Sequence, residues 1–238
     1  MNIAHAARIV CAGLFAVALA GCASTQNLKA QSAKFDWTQT EKKVVIVQPD
    51  IVLSELTAGG MTEPRADWTD ATRKNLGGAF EKYMAKKSVA TVPVDELTDE
   101  HEIQLSKLHS AVGLSIIVHA FGPAKLPTKK DALDWTLGPG AGALRDHYKA
   151  DYAMFVFVRD SYATAGRKAA IAGSIVLCAL TGVCPNIQGG TQVAFVSLVD
   201  LRTGNIVWFK LYGSASGDLR ENKNVGVFVS TLMKDFPL

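Results

Sequence analysis

From residue 43 onward, short β-branched apolar runs alternate with stretches whose apolar residues recur every three or four positions. That is the pattern of strands interleaved with amphipathic helices. Lys43 to Val47 reads as a buried strand, with Pro49 limiting its continuation and Ile51 to Leu56 giving a second stretch. After a loop through Gly59-Gly60, Pro64 suits a first helical turn. Trp68, Leu76, Ala79, Phe80, Tyr83 and Met84 then predict a helix ending near Lys86-Lys87, weakened at Gly77-Gly78. Val89 to Val94 reads as a short strand, which Pro93 keeps to an edge or an end. A second helix is expected with Thr98 as its cap, Asp99 and Glu100 at its positive end, and Ile103, Leu105, Leu108 and Val112 along it. Leu114 to Ala120 is the next apolar strand expected.

A loop over Gly122 to Lys130 leads through Trp135 and Gly138-Pro139-Gly140 into a helix containing Leu144 and Tyr148, followed by a strand from Tyr152 to Val158. Thr191 to Val199 and Ile206 to Tyr212, joined by Arg202-Thr203-Gly204-Asn205, read as a hairpin, and Asn224 to Met233 as a closing amphipathic helix. The expected fold class is α/β: a mixed sheet flanked by helices, with a C-terminal β-hairpin and helix and an apolar excursion between two strands. There is no internal repeat.

The excursion, over 169–190, is the unusual stretch. No charged residue lies between Lys168 and Asp200, and Ala169 to Cys184 is almost wholly small or apolar. Three readings stay open: a core helix or covered loop, a helix or hairpin that meets a membrane or a partner subunit, and a transmembrane helix. The run from Ala169 to Cys184 as a helix reaches only about 24 Å, against a hydrocarbon layer of about 30 Å, so spanning is the weakest of the three.

The first 21 residues carry Arg8, then the apolar run Ile9 to Leu19, then small residues, the layout of a secretory signal. The run ends in Leu19-Ala20-Gly21-Cys22, which resembles the lipobox of bacterial lipoproteins. The resemblance implies that Cys22 takes a diacylglycerol on its sulfur, that the signal is removed, and that the new amine is acylated (palmitate or a similar chain). An ordinary signal peptide with an incidental cysteine is the competing reading. Ala23 and Ser24 follow in place of the aspartate that holds enteric lipoproteins at the inner membrane, so an outer-membrane anchor with the body facing the periplasm is expected. The chain divides into a signal over 1–21, a lipidated tether over 22–42 and an α/β periplasmic domain over 43–238. The tether is polar and without periodicity, and could extend about 60 Å.

Composition excludes some classes. Arg8 is the only charged residue of the signal, so its loss lowers the formal charge from +3 by a single unit. A nearly neutral chain with no polybasic run points away from nucleic acid, and a hydrophobic content of 48% points away from general disorder. Cys11 leaves with the signal, so Cys178 and Cys184 form the remaining pair: a disulfide candidate in an oxidising compartment, or two buried thiols. Six helical residues separate their Cα atoms by about 9 Å, beyond the roughly 7 Å a disulfide tolerates. A bonded pair therefore needs the helix to stop before Cys184, most naturally at Gly182.

No catalytic constellation, metal set or cofactor motif emerges. Gly138-Pro139-Gly140-Ala141-Gly142-Ala143 matches the loose pattern G-x-G-x-x-A but follows no clear buried strand and reads as a flexible start to a helix. His101, His109, His119 and His147 show no close metal spacing. Gly213-Ser214-Ala215-Ser216-Gly217 lacks a serine with glycines at the offsets of a nucleophile elbow. Asp151, Asp160, Asp200 and Asp218 lie near expected strand ends, where turn and cap roles account for them. An enzyme is not expected.

The lipobox, the tether and the hairpin Val199-Asp200-Leu201-Arg202-Thr203-Gly204-Asn205-Ile206-Val207-Trp208 together resemble an uncharacterised family of proteobacterial outer-membrane lipoproteins. More distantly, the body resembles the α/β domain of the curli-secretion-channel lipoproteins and the amino-terminal domain of the Tol-Pal periplasmic protein. The resemblance implies a non-enzymatic envelope assembly or interaction module with envelope protein partners, held by membrane lipid through Cys22. The alternatives are a homo-oligomeric outer-membrane export-channel subunit and a small-molecule-binding lipoprotein. A barrel strand alternates polar and apolar residues over about ten positions, and the continuous apolar run at Ala169 to Cys184 departs from that.

Overall fold

The computed structural model describes residues 26–32, 35, 43–129, 132–185, 187–214 and 218–237. The expected signal, Cys22 and part of the expected tether lie outside these residues. Among the described residues, eight strands form one mixed sheet: β1 (Gln26–Gln31), β2 (Lys43–Ile46), β3 (Asp50–Leu56), β4 (Thr62–Pro64), β5 (Ala90–Pro93), β6 (Tyr152–Ala163), β7 (Gln192–Asp200) and β8 (Ile206–Ser214). Their order is β1-β8-β7-β6-β2-β5, with β3 on β6 and β4 on β3. β2 and β3 both run parallel to β6, on Tyr152 to Met154 and on Phe157 to Ala163. Between them Val47, Gln48 and Pro49 stand opposite Phe155 and Val156, one residue too many. Proline has no N–H for a sheet ladder and is tolerated at such an irregularity.

Among the described residues there are five α-helices, all but α4 packed on the sheet: α1 (Ala66–Lys86), α2 (Glu100–Ile116), α3 (Gly142–Tyr148), α4 (Ala165–Thr181) and α5 (Asn222–Leu232). β6 alternates across two cores. Met154, Val156 and Val158 face Leu76, Phe80 and Met84 of α1 and Phe228 and Leu232 of α5. Ala153, Phe155 and Phe157 face Leu105 and Ile116 of α2 and Leu144 of α3. A strand buried on both sides reads as a continuous apolar run, and Tyr152 to Val158 does.

Four expectations are corrected. The stretch from Leu114 to Ala120 is helical: α2 continues to Ile116 and passes into a π-helical turn over Ile117–Phe121. The buried positions Leu105, His109, Gly113 and Ile116 recur at helical spacing, and a short apolar run alone cannot distinguish strand from buried helix. The cap of α2 is Asp99, whose carboxylate accepts the Glu102 N–H at 3.1 Å, and Pro64 closes β4 while α1 starts at Ala66. Part of the expected tether is sheet: β1 lies antiparallel on β8, from Gln26 opposite Gly213 to Gln31 opposite Trp208. Its side chains are largely exposed, so backbone hydrogen bonds to the otherwise open edge of β8 hold it and hydrophobic periodicity carries no trace of it. Beyond β1, the ring of Phe35 packs edge-on to Tyr152 at 5.8 Å.

The β7–β8 hairpin turns at Gly204, whose φ of +74° favours glycine. A Cβ there would stand 2.0 Å from the Gly138 carbonyl oxygen. Gly204→Ala should lower stability by about 1–3 kcal/mol in urea unfolding, since both the backbone and the close approach resist a methyl group. An unchanged unfolding midpoint would contradict this reading of the turn.

Candidate functional site

The apolar excursion contains α4, and the local sequence explains its limits. The Thr164 side chain caps it, accepting the Arg167 N–H at 3.0 Å. An Ala-rich stretch propagates it, and Gly182, at φ +72°, ends it by donating its N–H to the Cys178 carbonyl at 2.9 Å. That reversal brings the Cα atoms of Cys178 and Cys184 to 4.3 Å, and the two cysteines are joined in a disulfide.

Of the seventeen residues of α4, Ser174 alone is buried. Ile175, Val176, Leu177, Leu180 and Val183 are exposed, Leu180 to 79%. The reading of this stretch as a core helix or covered loop is thereby overturned. No helix among the described residues is long and apolar enough to cross a membrane. What remains is an apolar helix outside both cores. Its base is tied down: Arg167 donates from Nε to the Gln188 carbonyl at 2.9 Å and from Nη1 to the Ala58 carbonyl at 3.4 Å. Gly190 lies so close to Ser161 that a Cβ would meet the Ser161 carbonyl oxygen at 1.8 Å.

Beside that base is a cleft of about 320 Å³ whose lining includes Asp160, Tyr162, Lys168, Asp218 and Arg220. Its polar groups are engaged with one another. The Tyr162 hydroxyl donates to Asp160 Oδ2 at 2.5 Å and accepts the Leu219 N–H at 2.7 Å, and Gln192 Nε2 donates to the same Oδ2 at 2.5 Å. Arg220 grips Asp218 through two nitrogens, at 2.8 and 2.6 Å, and lies over the rings of Tyr162 and Trp68. Burial pushes the Asp160 carboxyl up to about 6, against the opposing pull of its two donors. Burial and the neighbouring Asp160 charge push the Tyr162 hydroxyl well above its usual range. The Arg220 hydrogen bonds hold Asp218 below the usual carboxylate range. This network stitches β6 to the turn before α5, and sequence spacing gave no sign that Tyr162, Gln192 and Arg220 belong to it.

The four aspartates do not form one group. Asp160 and Asp218 share the cleft, whereas Asp151 and Asp200 lie at the opposite end of the sheet. There Asp151 accepts the Lys43 N–H at 3.2 Å and Asp200 accepts the Arg202 N–H at 2.9 Å. The histidines are likewise dispersed. His109 is sealed between Phe155 and Phe195 and shares a 2.8 Å hydrogen bond with Ser197 Oγ, and burial lowers its pKa to about 3. His147 pairs with the buried Glu102 at 2.7 Å, which also accepts from Tyr148; burial raises that tyrosine to about 12. His101 lies 3.1 Å from the Gly140 carbonyl, and His119 stacks on Trp135. Among the described residues no group of three or more His, Cys, Asp or Glu is arranged to hold a metal. Gly138 follows an isolated bridge at Thr136 and opens a short 3-10 turn, so the glycine pattern lacks the preceding strand of a dinucleotide site. Ser214 ends β8, and residues 215–217 lie outside the described residues.

No family model matches the chain, and no curated protein does. Solved structures give distant likenesses. A PelC dodecamer from Paraburkholderia phytofirmans has a TM-score of 0.40 at 11% identity, covering 88% of this chain and 97% of that one. Lipoprotein GNA1162 from Neisseria meningitidis has a TM-score of 0.35 at 13% identity, covering 81% and 94%. The LpoB C-terminal domain from Salmonella enterica has a TM-score of 0.29 at 13% identity, covering 75% and 85%. Likeness this loose fixes neither an activity nor a partner.

Asp160 and His109 pull stability in opposite directions with pH. A carboxyl whose folded pKa is raised makes the fold more stable as pH falls from about 6 toward 4, because the folded state takes up the proton first. A histidine whose folded pKa is lowered costs stability over the same descent, because the unfolded state protonates first. Each unit of displacement is worth about 1.4 kcal/mol. Between about pH 6.5 and 4.5, Asp160→Asn should therefore lose stability more steeply than the parent, and His109→Gln less steeply. Parallel stability curves for all three in urea unfolding would overturn the assignment.

Proposed function

We propose that the chain is a membrane-anchored periplasmic lipoprotein acting as a non-enzymatic envelope assembly or interaction module, with α4 as its contact surface. The observation that carries this reading is the exposed apolar helix, closed by its disulfide and packed outside both cores. Exposed apolar surface gathered in one place marks an interaction site. The lipobox at Leu19 to Cys22 supplies the anchor, and Ala23-Ser24 favours the outer membrane. The engaged polar groups of the cleft and the sealed His109–Ser197 pair support a structural role for both.

Cys22→Ser should move the protein from the membrane fraction to the soluble periplasmic fraction of cells, and undiminished membrane retention would remove the anchor. A photo-crosslinking residue at Leu180 should give adducts with envelope components in cells, whereas one at Arg202, on the opposite end of the sheet, should give few. Self-adducts in a regular ladder would favour the oligomeric export-channel reading. No adduct at Leu180 would overturn α4 as the contact surface.

A further inference from the structure

The register of the sheet fixes where the start of β1 stands relative to α4. Gln26 faces Gly213, Gly213 faces Val193, Val193 faces Arg159, and Arg159 faces Val52. A single row of paired residues thus crosses from the first residue of β1 to β3. Beyond this row β6 runs on to Ala163, and α4 begins at Ala165. β1 and β6 are three strand spacings apart, about 14 Å. Cys22 precedes Gln26 by only four residues. Whatever path those residues take, covalent geometry keeps its Cα within about 14 Å of that of Gln26. A lipid on Cys22 would therefore be attached within that reach of the Gln26 end of β1, which is the end of the sheet from which α4 leaves.

Other features gather at the same end. The turn between β3 and β4 carries exposed Met61 and is tied to α4 through Arg167 and the Ala58 carbonyl. Arg167 and Lys168 stand at the base of α4, and no acidic residue follows until Asp200, a polarity suited to anionic headgroups outside an apolar layer. The helix is about 25 Å long, too short to span. The described residues of the return segment after Gly182 are non-helical, and their backbone polar groups would be costly in hydrocarbon, which keeps the excursion shallow.

We propose that α4 lies in the headgroup and upper acyl region of the same leaflet that holds the Cys22 lipid, with Val176 and Leu180, one turn apart on the side away from the buried Ser174, turned into lipid. This rests on the anchored reading above and names the partner of α4 as the bilayer surface. Two attachments at one end of the sheet fix the tilt of the body and direct the Gly204 end into the periplasm.

The test uses the mature lipidated protein in vesicles of phosphatidylethanolamine and phosphatidylglycerol, with and without lipids brominated near the headgroup end of their chains. Leu180→Trp adds an indole at an exposed position to the four native tryptophans, and Val227→Trp on α5, also exposed, is the comparison. The added fluorescence of Leu180→Trp should shift to shorter wavelength and be quenched roughly twofold by brominated lipid, with that of Val227→Trp unquenched. Flotation of the protein with vesicles but no quenching at position 180 would overturn the inference and leave the anchor standing, with α4 free for a protein partner. Equal quenching at both positions would also overturn it, since α4 would then have no special place. A parent protein that does not float with vesicles would overturn the anchor and the inference together.

Discussion

Strand β6 holds the most constrained position in this molecule. It pairs with β7 from Tyr152 to Asp160 on one side, and with β2 and then β3 on the other. Both of its faces are buried, so its apolar residues serve the α1–α5 layer and the α2–α3 layer in turn. Its pairing with β7 ends where Asp160 meets Gln192, while its pairing with β3 continues to Ala163. The strand thus outruns one neighbour, and α4 starts beyond both layers. The exposure of α4 follows from where β6 releases the chain, and Arg167 and Gly190 fix its base there.

Much of this layout is legible in the residues. Leu76, Phe80 and Met84 mark the inward stripe of α1, the apolar runs from Thr191 to Val199 and from Ile206 to Tyr212 around Thr203-Gly204 mark the hairpin, and Val225, Phe228, Val229 and Leu232 mark α5. Failures occurred where local pattern and burial part company. β1 is held by main-chain hydrogen bonds and leaves Leu28 partly exposed, so its polar sequence looks like a linker. The run from Leu114 to Ala120 is apolar at five of seven positions and too short to show a period that separates helix from strand. The cleft network needs residues 32 and 57 positions apart, and no spacing rule joins Asp160 to Gln192 or Tyr162 to Leu219.

Polarity is distributed in an unusual way. Inside, buried ionisable groups are matched, although the indole N–H groups of Trp135 and Trp208 are not: Asp160 has Tyr162 and Gln192, His109 has Ser197, and the buried Lys210 donates to Asp235 at 2.8 Å. A buried donor or acceptor without a partner costs about 1–3 kcal/mol, so these pairings keep an otherwise apolar interior tolerable. Outside, α4 leaves large aliphatic side chains in contact with solvent, each worth about 1.5–3 kcal/mol when fully buried. The same chain that pairs its buried ionisable groups leaves this cost unmet on one helix, and a cover for α4 would relieve it.

The docking of β1 changes what kind of cover is available. A free tether from residue 22 to 42 would let the domain sample a hemisphere about 60 Å in radius, and α4 could meet lipid, a partner or neither. With Gln26 to Gln31 fastened to β8, the leash to Cys22 shortens to four residues, and Lys29 stands 3.8 Å from Asp235, the carboxylate that also receives Lys210. A short leash raises the effective concentration of whatever surface the anchor occupies, while a leash too short to reach removes distant partners from contention. On the proposed lipidation of Cys22, the exposed aliphatic groups of α4 and the acyl chains would then belong to one end of the body, and the bilayer would be the surface that the anchor itself brings to the helix.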